Sequence, residues 1–156
     1  MNAGPALARI SAVLAACGLD AILIGNAAAA LQGAPVTTLD FDFMFRKTPA
    51  NLRRLKTVAR ELGAVVFRPY YPVSSLYRLV DEDTGLQLDF MAEIHGVKSF
   101  ESLRSRATAM QLGTVTLRVA SLADIIRSKK AAGRPRDRAV LPVLEKTLEE
   151  SRKNAK

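Results

Sequence analysis

The stretch Ala21-Ile-Leu-Ile-Gly-Asn-Ala-Ala-Ala-Ala-Leu-Gln-Gly-Ala-Pro-Val-Thr-Thr-Leu-Asp-Phe-Asp-Phe-Met-Phe45 decides how the chain folds. Its first four residues form an apolar run that reads as a short buried strand and stops at Gly25-Asn26. Glycine at that point lets the backbone bend tightly and approach a ligand with no Cβ in the way. Asn26 is expected to cap a helix over residues 27–32 whose first N–H groups face a phosphate. Gly33 ends that helix and Pro35 keeps it from continuing. A second strand, roughly residues 38–45, alternates Asp40 and Asp42 with Leu39, Phe41, Phe43 and Phe45. Successive side chains of a strand point to opposite faces, so both carboxylates leave one face while the leucine and three phenylalanines pack the other.

Two like charges side by side on a largely apolar strand are unfavourable, and one would be driven towards protonation unless a cation sits between them. A hard divalent ion such as Mg²⁺ resolves the conflict, because it takes carboxylate oxygens together with phosphate oxygens. The plainer reading is a half-solvated strand whose polar face carries two acids. The glycine turn upstream and a third acid downstream weigh against it.

Upstream, Leu7, Ile10, Val13 and Leu14 have the spacing of an amphipathic helix over residues 5–16. Downstream, Thr48 caps a helix opened by Pro49, with Leu52, Leu55, Val58, Ala59 and Leu62 on one face and Arg53, Arg54, Lys56 and Arg60 on the other. Gly63 stops it. A strand over 64–68 and a loop at Pro69-Tyr-Tyr-Pro72 follow. Strands over 76–80 and 86–91 flank Asp81-Glu-Asp-Thr-Gly85, which reads as a hairpin with a solvated acidic turn. The tripeptide Leu-Asp-Phe occurs at 39–41 and again at 88–90. If the two strands are neighbours, Asp89 joins Asp40 and Asp42 in a three-carboxylate cluster; as an edge residue it has no such role. A short basic helix at 99–106 and a strand at 114–119 come next. Ser121 then opens a helix through Lys129 with Asp124 in the capping-box position. A final helix places Ala139, Val140, Val143, Leu144 and Leu148 inward, and residues 151–156 form a frayed tail.

With 156 residues the chain suits one domain, over residues 1–150. The single Cys17 excludes an internal disulfide. With His95 as the one histidine, zinc sites and serine- or cysteine-hydrolase chemistry are poorly served. No apolar run approaches the roughly 18 residues needed to cross a bilayer, so no membrane partner is expected. Leu14-Ala-Ala-Cys17 imitates a lipoprotein cleavage site, but cleavage there would remove a helix that should cover the sheet; the expected location is the cytoplasm. Net charge is +8, with +6 on residues 46–68 and +7 on residues 101–156, which leaves −5 for the remainder. An acidic centre flanked by basic segments suits a polyanion approaching a metal site; a basic surface kept for solubility is the alternative.

Gly25-Asn26, Gly33, Thr38-x-Asp40-x-Asp42 and a later strand Asp89 together resemble the nucleotidyltransferase superfamily, with its polymerase-β-like fold. The ending, Ser121-Leu-x-Asp-Ile-Ile-x-Ser-Lys129-x-Ala-Ala-Gly-Arg134-Pro-x-Asp137, resembles the tail of small bacterial nucleotidyltransferases that include AbiEii-type and MenT-type toxins. The resemblance covers residues 20–148. It implies an α+β fold, a mixed sheet with helices on one side and a C-terminal helical tail, binding a nucleoside triphosphate. Asp40 and Asp42 would hold two Mg²⁺ ions, for which Mn²⁺ can substitute. Asp89 would hold the acceptor-side ion and help deprotonate the attacking hydroxyl. Gly25, Asn26, Thr38 and Lys129 would serve the nucleotide, with Arg134 and Asp137 bracing the tail. Two positions depart from the family pattern. Asn26 stands where Ser or a second Gly is usual, and Val36 where an arginine often precedes the Thr by two residues. Neither departure removes a metal ligand.

The resemblance thus implies nucleotide transfer from an NTP to an acceptor hydroxyl. The basic segments favour RNA such as tRNA, and family context adds a toxin paired with an antitoxin protein. The other readings are transfer to a small molecule or a protein, and a non-catalytic nucleotide-binding module.

Overall fold

Among the described residues the apolar runs and alternating segments assemble into one seven-stranded sheet accompanied by six helices. The computed structural model describes residues 4–38, 40–67 and 76–155. In chain order the elements are α1 (Gly4–Cys17), β1 (Ala21–Ile24), α2 (Gly25–Leu31), β2 (Asp40–Phe45), α3 (Pro49–Glu61), β3 (Val65–Phe67), β4 (Tyr77–Asp81), β5 (Leu86–Met91), α4 (Phe100–Arg106), β6 (Thr108–Leu112), β7 (Val115–Val119), α5 (Leu122–Ala132) and α6 (Pro135–Asn154). Leu39, Arg68 and the Pro69–Pro72 segment lie outside the described residues.

The strand order is β3-β4-β5-β2-β1-β7-β6. The pairs β2/β5 and β1/β7 are parallel and the others antiparallel. A parallel pair needs a long crossover. That between β2 and β5 contains α3, β3 and β4; that between β1 and β7 contains every element from α2 to β6. All four residues of β1 are buried, and alternate side chains face opposite ways. The centre of the sheet is therefore covered on both faces, where the family resemblance implied helices on one side. On the apolar side of β2, Phe43 stacks on Phe90 of β5, ring centroids 5.0 Å apart, and Phe45 meets the same ring edge-on.

Local signals set most boundaries. The Thr48 hydroxyl accepts the Asn51 N–H at 3.1 Å, and the buried Asn51 amide donates to the Arg46 carbonyl. The Ser121 hydroxyl accepts the Asp124 N–H at 3.1 Å. The Asp124 carboxylate does not return the bond: it is buried between Arg106 and Arg127, each at 2.8 Å. On the exposed face of α3, Arg53, Lys56 and Arg60 form a basic stripe with no ion-pair partner among the described residues. No helix among the described residues is long and apolar enough to cross a membrane.

Several expectations need correction. β6 was not anticipated; it is an edge strand, largely exposed and without clean alternation. Asp81 is not solvated, for its carboxylate accepts the Asp83 N–H and the Thr84 hydroxyl. In α6, Leu144 is buried with Val140, Leu141 and Leu148 beside it, whereas Ala139 and Val143 are exposed. The helix rests on a narrow stripe starting at Asp137, and residues 139 and 143 sit one position off it, about 100° around the axis. The same helix continues to Asn154, past the expected fraying point.

Candidate active site

β1 runs directly into α2, so the bend falls on Gly25, which adopts φ +69. A Cβ built there would lie 3.1 Å from Asp42 Oδ2. The Asp42 carboxylate thus rests against bare glycine backbone, a contact that any other residue would crowd. The helix begins at Gly25 with Ile24 in the cap position and no side-chain cap bond. Asn26 therefore does not cap it. Its Oδ1 is instead buried with no hydrogen-bond partner, and a buried unpaired acceptor is costly unless something else supplies a donor.

The parallel pairing of β2 with β5 sets Asp42 directly beside Asp89 and Asp40 beside Gln87. The sequence-predicted acids are therefore on adjacent strands and on one face. Asp40 is exposed, Asp42 half-buried, and Asp89 only 7% accessible. Burial, then the charges of Asp89 and Asp40, push the Asp42 pKa up to about 6, against the attraction of Lys129 and Arg136. Neither Asp40 nor Asp42 makes a side-chain hydrogen bond or ion pair among the described residues.

Asp89 differs. Arg78 on β4 lies opposite it in the hairpin register. Its Nε–H donates to Asp89 Oδ1 at 2.8 Å and its Nη2–H to Oδ2 at 3.2 Å. The Gln87 amide reaches Oδ2 at 3.5 Å. Arg78 was not picked out from the sequence. The signal existed, since a hairpin turning at residues 82–85 places residue 78 across from residue 89.

Of the remaining expected residues, Thr38 touches the backbone of Asp40 and Lys129 lies near enough to act on the charge of Asp42. The Thr38 hydroxyl donates to the backbone carbonyl of Asp40 at 2.6 Å, fixing the approach to β2. Lys129, on α5, is mostly buried and pairs with Asp137 at 3.7 Å. Burial depresses its pKa, with Asp137 pulling the other way. Asp137 in turn accepts from the Arg134 side chain at 2.6 Å and from its backbone N–H at 3.2 Å, closing the α5–α6 corner. Among the described residues no three acidic, histidine or cysteine side chains are grouped closely enough to hold an ion unaided. Two neighbouring carboxylates without partners among the described residues, one of them destabilised as an anion, still fit a Mg²⁺ whose other ligands are water, or substrate oxygens once a nucleotide is bound.

A mixed sheet with two acids on one strand, a third acid on its parallel neighbour and a glycine bend beside them defines the nucleotidyltransferase class. The chain belongs to the family described as nucleotidyl transferases of unknown function (DUF2204), which matches residues 4–155. Its fold is similar to that of a protein from Thermotoga maritima assigned as a nucleotidyltransferase (18% identity, 94% of this chain and 92% of that one, TM-score 0.63). It is also similar to the antibiotic-resistance factor ANT(2'')-Ia (15% identity, 91% and 82% covered, TM-score 0.64). The same factor in complex with adenylyl-2''-tobramycin gives 17% identity, 92% and 88% covered, and TM-score 0.61. At these identities the likeness is one of fold. No curated protein sequence matches the chain.

Proposed function

We propose that the chain transfers a nucleotidyl group from an NTP to a hydroxyl of an RNA such as tRNA, in the cytoplasm, with a divalent metal ion. The observation that carries this reading is the register that sets Asp42 beside Asp89, with Asp40 on the same face and Gly25 leaving room beside Asp42. Asp40 and Asp42 would hold Mg²⁺, or Mn²⁺ in its place, and the ion would neutralise charge on the triphosphate as the bond to the leaving pyrophosphate breaks. Asp89 accepts the proton of the attacking hydroxyl. Lys129 faces the field of Asp42 and offers a cation to the phosphates. Gly25 and Asn26, at the bend, would receive the β- and γ-phosphates, and Thr38 holds the strand that presents the acids.

RNA as acceptor rests on the charge pattern, +8 overall with a basic stripe on α3 that is unpaired among the described residues. Incubation with each of the four α-³²P-labelled NTPs, Mg²⁺ or Mn²⁺ and total RNA should label RNA, and Asp42→Ala should abolish it. Absence of label from all four NTPs rejects the reading. A toxin role of the AbiEii or MenT kind, with an antitoxin partner, predicts growth arrest on induction that Asp42→Ala relieves. The fold shared with ANT(2'')-Ia, seen with an adenylylated aminoglycoside, supports a second acceptor class. Label appearing on a small-molecule pool rather than RNA would select it.

A further inference from the structure

The reading above asks Asp89 to serve the acceptor side, and there the structure holds a cation of its own. A carboxylate offers about four acceptor positions. Arg78 occupies two of those on Asp89 in a fork-like arrangement, and the Gln87 amide approaches a third. What is left suits a single hydroxyl donor. The hydrogen bond to Asp89, then the charges of Asp89, Asp40 and Asp42, raise the Arg78 pKa against the opposing effect of burial. The guanidinium therefore sits in the combined field of all three acids. Its side chain keeps 40% accessibility against 10% for Asp89, so the arginine closes the acid off from one side while remaining reachable from solvent. Three carboxylates, one guanidinium and one divalent ion also sum to zero charge; a second ion would leave the face cationic before any substrate arrives. An arginine is always charged and its planar fork matches a carboxylate, so this counter-charge is fixed in place.

We propose that Arg78 takes the place of an acceptor-side metal ion: it is a positioning residue that aims Asp89 at the acceptor hydroxyl, so that the site binds one divalent ion, on Asp40 and Asp42, rather than two. The proposal rests on the nucleotidyltransferase reading but is tested apart from it. Titrating metal-free protein with Mn²⁺ and following the loss of the free-ion EPR signal should count one bound ion in the wild type. Arg78→Gln, which removes the charge and frees Asp89, should count two. Arg78→Lys, which keeps the charge, should return to one, and so should Arg78→Gln combined with Asp89→Asn. Circular dichroism establishes that each variant is folded. Two ions on the wild type, no ion on the wild type, or a folded Arg78→Gln that still binds one would each overturn the proposal. If Arg78→Gln does not fold, the wild-type count and a count of one on Arg78→Lys decide: one ion on both supports the proposal and two on either rejects it. Label transfer by the wild type, scored separately, judges the nucleotidyltransferase reading itself, so either idea can fail alone.

Discussion

Gly25 and Asp42 make one device. The carboxylate lies where a Cβ would crowd it, and the glycine adopts a backbone conformation that L-residues avoid. Gly25→Ala should therefore destabilise the protein by about 1–2 kcal/mol in urea unfolding and lower nucleotidyl transfer more than that loss explains, because the acid must shift. Asp42 itself makes a pH prediction. Its pKa is raised from 3.8 to about 6 in the folded chain, so the folded state favours the protonated form. The contribution is fully present below pH 3.8 and is lost as pH rises through 6. In EDTA, Asp42→Asn should accordingly be more stable than the wild type at pH 8, by up to about 3 kcal/mol, with the difference gone near pH 4. Thermal melts across that range check it, and added Mg²⁺ should raise the melting point of the wild type but not of Asp42→Asn. The three acids were legible in the sequence because alternation fixes a face and the repeated Leu-Asp-Phe marks a partner strand. Arg78 was not, because a charged residue on a half-exposed strand looks like ordinary solvated surface until the hairpin register is known.

The elements divide between those with strong local signals and those whose form is imposed by neighbours. α3 and α5 carry hydroxyl caps that the structure retains. Thr48→Ala or Ser121→Ala should each cost about 1 kcal/mol of stability in denaturant titrations. β6 has no fully buried residue, only Met110 and Leu112 partly covered, so its local signal is weak and its pairing with β7 does most to define it. The α6 stripe differs from the expected one because alanine and valine at 139 and 143 are apolar enough to read as core, yet the covered side of the helix takes in Asp137, Val140, Leu141, Leu144 and Leu148 instead. Asn26 failed as a cap for a different reason: the helix starts two residues earlier than its side chain suggests, with Ile24 in the cap position. At the sheet's centre, the stacked Phe43 and Phe90 join the two strands whose opposite face holds the acids. Phe43→Ala should cost about 3–5 kcal/mol, read by urea unfolding.

For the whole molecule the leading feature is charge. Binding of tRNA, followed by fluorescence anisotropy, should weaken steeply with salt, and reversing Arg53, Lys56 and Arg60 to glutamate should flatten the log–log slope by about 2–3 units. An unchanged slope would mean that the α3 stripe does not meet the polyanion. The fold class and the family relationship were readable from one continuous reach of chain plus the motif around Lys129, since both bear special residues at fixed spacing. Which faces of the sheet are covered was not readable, because that depends on how distant helices settle.

The connection from β1 to β7 has a consequence during synthesis. Gly25 and Asp42 leave the ribosome early, yet the strand that seals β1 on its far side, and the helix bearing Lys129, come roughly a hundred residues later. Pairing of such sequence-distant segments is slow and happens only after both exist. A truncated nascent chain therefore has Gly25 and Asp42 but neither the strand that frames them nor the helix bearing Lys129, and this part of the fold is not assembled before the chain is nearly whole.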